Sequence, residues 1–137
     1  MSGTEITLPP AVVVHGLEQA IAALAEALPV TLLSAPGAGA FAGALWWRHL
    51  TAQARAAHPA TPCADILDCA DAPGHAMAAI RAGQAILVLD PACPAFPRIA
   101  TLARILPARP PALDLAEPGA CRRLRAWVLD DSTAALR

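Results

Sequence analysis

The chain has 137 residues, a net charge of −1, only 15% charged residues and 56% hydrophobic ones. Roughly a quarter of it is alanine, against an ordinary share under a tenth, so much of its apolar character is helix bulk. No lysine, tyrosine or asparagine occurs and all ten basic residues are arginines, which excludes Schiff-base chemistry, a phosphate-loop lysine and a lysine general base.

The near-neutral balance argues against nucleic acid or an anionic membrane as partner. No apolar run approaches the ~18 residues of a spanning helix. "MSGTEITLPP" lacks the basic and apolar regions of a secretory signal, so a cytoplasmic protein is expected. Cys63, Cys69, Cys93 and Cys121 are scattered without a C-x-x-C pair, which reads as reduced thiols and not as a disulfide frame or a zinc site.

In chain order, short apolar runs alternate with helical periods. Ala11–His15 predicts a strand, and "GLEQAIAALAEAL" predicts a helix whose Leu17, Ile21, Leu24 and Leu28 share one face. Val30–Ser34 is a second strand, followed by a turn, "APGAG", and a helix of about eighteen residues ending at His58, before Pro59 and Pro62. In that helix Trp46, Trp47, Leu50, Ala54 and Ala57 fall on one arc, with Arg48, Thr51 and Arg55 opposite. The aromatic face predicts packing on a sheet or on a second copy of the chain, a homodimer through the Trp46/Trp47 helix.

"ADILDC" is the third strand and "PGHAMAAIRAG" a short helix between Pro73 and Gly83. "AILVLD" is the fourth strand, without polar alternation, as expected of a strand covered on both faces. A helix around Pro97–Leu106, a proline-rich loop "PARPP", a short fifth strand "ALDLA" and a last helix opened by Pro118 complete residues 1–130. Residues 131–137 are expected to fray. Five strand–helix alternations in one small chain predict a single-domain α/β fold: a three-layer αβα sandwich, Rossmann-like or flavodoxin-like, with a mainly parallel sheet of about five strands and helices on both faces.

Ligands of such sheets bind beyond the carboxyl ends of the strands. The residues predicted there are functional in type: His15, Ser34 with "APGAG", Asp68, Asp71, Asp90 with Cys93, and Asp114. Ser34, Gly37, Gly39, Asp68, Asp71 and Asp90 are the candidate ligand-binding residues for a small polar or anionic metabolite. The glycines would admit an anion, and the aspartates would hold hydroxyls, amines or Mg²⁺. Caps and turns explain the same aspartates equally well. Gly37, Gly39 and Gly43 are spaced G-x-G-x-x-x-G, which departs from the dinucleotide G-x-G-x-x-G, and no cofactor is identified. Asp90, Cys93, His15 and His75 are the candidate catalytic residues: a helix N-terminus would activate the thiol, and a histidine would serve as base.

"LVLDPACP" resembles the phospho-acceptor strand of response-regulator receiver domains, with Asp90 ending an apolar central strand and Pro94 four positions on. The resemblance covers about ten residues and implies a degenerate, non-phosphorylated relative, because the family's acidic pair and essential lysine are missing. Two functions therefore stand side by side: a metabolite site at the strand ends, and a non-catalytic homo-oligomeric interaction or regulatory module.

Overall fold

The computed structural model describes residues 7–130; the tail expected to fray lies outside them. Six strands form one all-parallel sheet: β1 (Ala11–Val13), β2 (Val30–Leu33), β3 (Cys63–Asp68), β4 (Ile86–Val88), β5 (Arg104–Leu106) and β6 (Ala112–Asp114), in the order β5-β4-β3-β2-β1-β6. The helices are α1 (Leu17–Ala25), α2 (Ala38–Phe41), α3 (Ala44–Ala57), α4 (Pro73–Arg81), α5 (Phe96–Ile99) and α6 (Ala120–Leu129). This is the α/β architecture that the alternation predicts, a parallel sheet flanked by helices of the Rossmann or flavodoxin type, with six strands in place of about five. Among the described residues no helix is long and apolar enough to cross a membrane.

Two elements depart from the periodicity. The eighteen-residue helix is broken at Gly43, whose φ of 91° and ψ of 160° belong to a region open to glycine alone. One helical turn, α2, therefore precedes α3. The helix expected around Pro97–Leu106 shrinks to the single turn α5, and Arg104–Leu106 instead extends the sheet beside β4. Backbone pairing along an open edge wins there over a weak helical pattern.

The strand order explains how the two faces are covered. From β1 to β5 the chain steps across the sheet in one direction, and right-handed crossovers in one direction place their helices on one face. All six helices accordingly give residues to the larger apolar cluster, around Val12, Leu32, Leu67, Leu87 and Trp47. The step from β5 to β6 runs back across the whole sheet, so a right-handed connection must pass over the other face. Only residues 107–111 make that return. Even extended they reach roughly 20 Å, while five inter-strand steps across a flat sheet span about 24 Å. The sheet must therefore coil and bring its edges together. Its concave face holds the smaller cluster, Val13, Leu33, Ile66 and Val88 with Leu8, made of strand residues apart from Leu8 itself. Both faces are covered, but helices cover only one of them, where both were expected to carry helices, and the concave one is covered by irregular chain that includes the proline-rich return.

The α3 face is turned from the one read off the helical wheel. Trp47, Leu50, Thr51 and Ala54 are buried, Trp46 is half-buried and Ala57 is exposed. Asp65 of β3 causes the shift, because it accepts hydrogen bonds from Trp47 Nε1 (3.1 Å) and Arg55 Nη2 (2.7 Å) and so draws both toward the sheet. Arg55, expected in solvent, is half-buried over β3. Its charge is held more firmly than usual: burial opposes the charge, but the bond to Asp65 and the Asp65 and Cys63 charges outweigh it.

Candidate functional site at the strand ends

Side chains alternate along a strand, so residues two beyond those of the smaller cluster also project on the concave side. Asp68 follows Ile66, Asp90 follows Val88, Asp114 follows Ala112 and His15 follows Val13. Asp68 and Asp90 line a cleft at the mouth of the concave face, while His15 and Asp114 meet each other at the ends of β1 and β6.

The return connection sits across this mouth. Arg109 Nη1 donates to Asp68 Oδ2 at 2.7 Å, and the Asp68 side chain is only 5% exposed. The other Asp68 oxygen accepts the Ala70 amide at 2.7 Å. Ala70 adopts a left-handed backbone, φ 52°, which is disfavoured for a residue with a Cβ. Its carbonyl accepts the Asp90 amide at 2.8 Å. The turn after β3 is thus pinned from both sides by the two aspartates. A cleft of about 570 Å³ opens here, lined by Pro36, Gly37, Asp68, Asp71, Asp90 and Arg109 among others. Asp71 and Asp90 are exposed in it. One Asp90 oxygen accepts the Ala92 amide at 2.9 Å, the turn-forming bond expected of an aspartate before proline.

Beside the cleft, His15 Nε2 meets Asp114 Oδ1 at 2.8 Å, joining the ends of β1 and β6. Both side chains are about one-third exposed. Partial burial pushes the Asp114 carboxyl up, but the Ala116 amide, the His15 bond and the charges of His15 and Arg109 outweigh it and hold the carboxyl below its ordinary range. Arg109 thus faces Asp68 by contact and Asp114 through its field.

Other candidates lie elsewhere. Ser34 is fully buried and internal, its hydroxyl accepting the Asp68 amide at 2.9 Å and donating to the Ala35 carbonyl. Gly39 packs α2 onto the end of β3, where a Cβ would lie 2.8 Å from Cys69 Sγ, so a side chain there collides with the strand. Part of the anion cradle expected of "APGAG" is closed, while Gly37 lines the cleft. The amides of Ala38, Ala40 and Phe41 already donate to Ala35 and Gly37 carbonyls, and α2 is a single turn. Cys93 is buried in the turn after Asp90, ahead of the four-residue α5. His75 is exposed on α4 and His15 is engaged by Asp114, three strands from β4. Burial pushes Cys69 up to about 11, helped by the Asp68 charge, which makes it an inert core thiol. Among the described residues no three His, Cys, Asp or Glu side chains draw together as a metal site. The receiver-like strand also sits differently: β4, which carries Asp90 at its end, is second from the sheet edge, not central.

The sequence reading missed Arg109. The signal was present: Arg109 is the one charged residue between Arg104 and Asp114, and two prolines after it stiffen the chain that carries it. The chain matches no protein-family model and no curated protein sequence.

Proposed function

We propose that the protein binds a small polar metabolite, bearing hydroxyl or amine groups, in the cleft at the strand ends. One observation carries this reading: Asp68, Asp71, Asp90 and Arg109, from three separate connections, line a single cleft at the carboxyl ends of the parallel strands, where ligands of open α/β sheets bind. The strained Ala70 between Asp68 and Asp90 supports it, since such strain collects at ligand sites. Asp68 is neutralised by Arg109, which leaves Asp71 and Asp90 as exposed acceptors. That balance favours donors on the ligand.

The test is a thermal-shift panel of polyols, amines, amino acids and phosphorylated compounds on the wild type and on Asp90→Asn. A ligand at one hundred times its Kd stabilises the folded state by about 2.7 kcal/mol, an easily read shift. The expected result is an amine or polyol that stabilises the wild type and not Asp90→Asn, with the variant's own melting unchanged within about 1 kcal/mol, because Asn also forms the turn. A ligand that stabilises both equally, or no ligand across the panel, overturns the reading.

A further inference from the structure

The helical layer away from the cleft has its own charge pattern. Between Glu26 and Asp65, between Asp71 and Asp90, and between Asp90 and Asp114 the chain contains no acidic residue. The helices α2, α3, α4 and α5 therefore carry no carboxylate, while they present Arg48, Arg81 and Arg98 at half-buried or exposed positions. The fourth arginine, Arg55, is spent on Asp65.

The same layer exposes large apolar side chains. Phe41 is 72% and Leu45 69% exposed, brought outward by the break at Gly43. With Leu102 they make up three of the four exposed large hydrophobics among the described residues. In a chain that otherwise covers its surface with alanine, such a concentration calls for a partner. A groove of about 530 Å³ runs between the start of α3 and the end of α4, lined by Gly43, Leu45, Trp46, Ala78, Arg81 and Ala82. Its floor of glycine and alanine lets another backbone come close, Leu45 and Trp46 form an apolar wall, and Arg81 is its one charged lining residue. A second groove, on the other side of α4, repeats the pattern with Met77, Ile99, Leu102 and Arg98.

We propose that the groove between α3 and α4 is a docking surface for an acidic amphipathic helix of another protein. Charge complementarity selects this occupant. An apolar stripe at i, i+3, i+4 and i+7 would lie against Leu45, Trp46 and Ala78, with flanking carboxylates facing Arg81 and Arg48. A second copy fits less well, because a two-fold contact repeats one patch on both sides and would set this basic, carboxylate-free face against itself. Nucleic acid fits less well too, since the groove is lined mainly by aliphatic residues and the chain lacks a basic balance.

The experiment uses two fluorescent synthetic helices with one leucine–alanine stripe, flanked by glutamates in one and lysines in the other. Binding is read as anisotropy against the full chain. The glutamate helix should bind at least about ten-fold more tightly than the lysine helix. Leu45→Ser should weaken both, Arg81→Glu should erase or reverse the preference, and Asp90→Asn should leave it intact, which separates this surface from the cleft. Leu45 and Arg81 are exposed, so both variants should melt like the wild type. Equal binding of the two helices, binding of neither, or displacement of the glutamate helix by an oligothymidylate overturns the proposal. So does a wild-type dimer in sedimentation that Leu45→Ser disperses, since the groove would then belong to a second copy.

Discussion

Asp65 and Asp68 lie three residues apart on β3, and each meets an arginine at 2.7 Å, yet they belong to different kinds of region. Three positions put them on opposite faces of the sheet. Asp65 sits under α3 and takes donors from Trp47, Arg55 and Gln84, all inside the helical layer. Its network is welded by secondary structure and leaves one buried polar atom, Gln84 Oε1, without a hydrogen-bond partner. Asp68 looks into the open cleft, and its arginine arrives on irregular chain that crosses the concave face. The same ion pair is a core joint in one place and the fastening of a strap in the other. What separates them is what carries the arginine, a fourteen-residue helix or a five-residue proline-rich connection.

The largest expected effect tests the core joint. Asp65→Ala leaves Trp47 Nε1 without an acceptor away from water and takes the carboxylate from half-buried Arg55, and should destabilise the fold by about 3–5 kcal/mol. Trp47→Ala, which empties the largest fully buried side chain, should cost a similar amount, about 3–5 kcal/mol. Because the two residues share a hydrogen bond, the double variant should fall short of the sum by roughly 0.5–3 kcal/mol. Urea unfolding of the four proteins decides it. Strict additivity would mean that the Trp47–Asp65 contact does not hold α3 to the sheet.

The difference between these regions also marks what the sequence could and could not disclose. Apolar runs such as "AILVLD" and the period of α1 and α4 are local properties, and they were enough for a parallel α/β sheet. The ends of α4 were legible because Pro73 and Gly83 mark them. The break at Gly43 and the edge strand β5 were not, since one is decided by a single left-handed glycine and the other by pairing with β4. Asp68, Asp71 and Asp90 were legible as site candidates because strand ends are where an α/β sheet offers its ligands. Arg109 was hidden in "PARPP", for its partner is 41 residues away and becomes a neighbour only when the sheet coils. Ser34 and Gly39 show the reverse case. Their types suit a ligand, but burial spends them on holding α2 and β3 together.

A middle-sized effect tests the strap. Arg109→Ala leaves Asp68 with the Ala70 amide alone and uncovers the carboxylate, now 5% exposed, to the cleft that both residues line. The expected loss is about 1–3 kcal/mol, less than at Asp65, because the abandoned charge can be rehydrated. The more telling readout is local: hydrogen exchange at the bonded Ala70 and Ala72 amides of the turn after β3 should rise while β1 to β4 stay protected. Uniform loss of protection across the sheet would show that the return connection is part of the cooperative core, and the contrast between Asp65 and Asp68 would collapse.

The smallest effect lies at the His15–Asp114 pair, which ties β6 to β1 where the strap lands. The Asp114 carboxyl is held below its ordinary value, so the folded state binds its proton more weakly than the unfolded chain does. Its contribution is therefore fully present above the unfolded value, about 3.9, and is lost as pH falls through the lower folded value. Both side chains are about one-third exposed, and solvent screening confines the contribution to a few tenths of a kcal/mol. Urea unfolding of the wild type and Asp114→Asn, compared at about pH 5 and about pH 3, should show a gap in the wild type's favour that closes on acidification. The variant cannot titrate there, so the closing must come from the wild type. A gap that stays constant would assign the pair's stability to its geometry alone. A gap that widens in acid would reverse the sign and place Asp114 with the carboxylates whose charge the fold opposes.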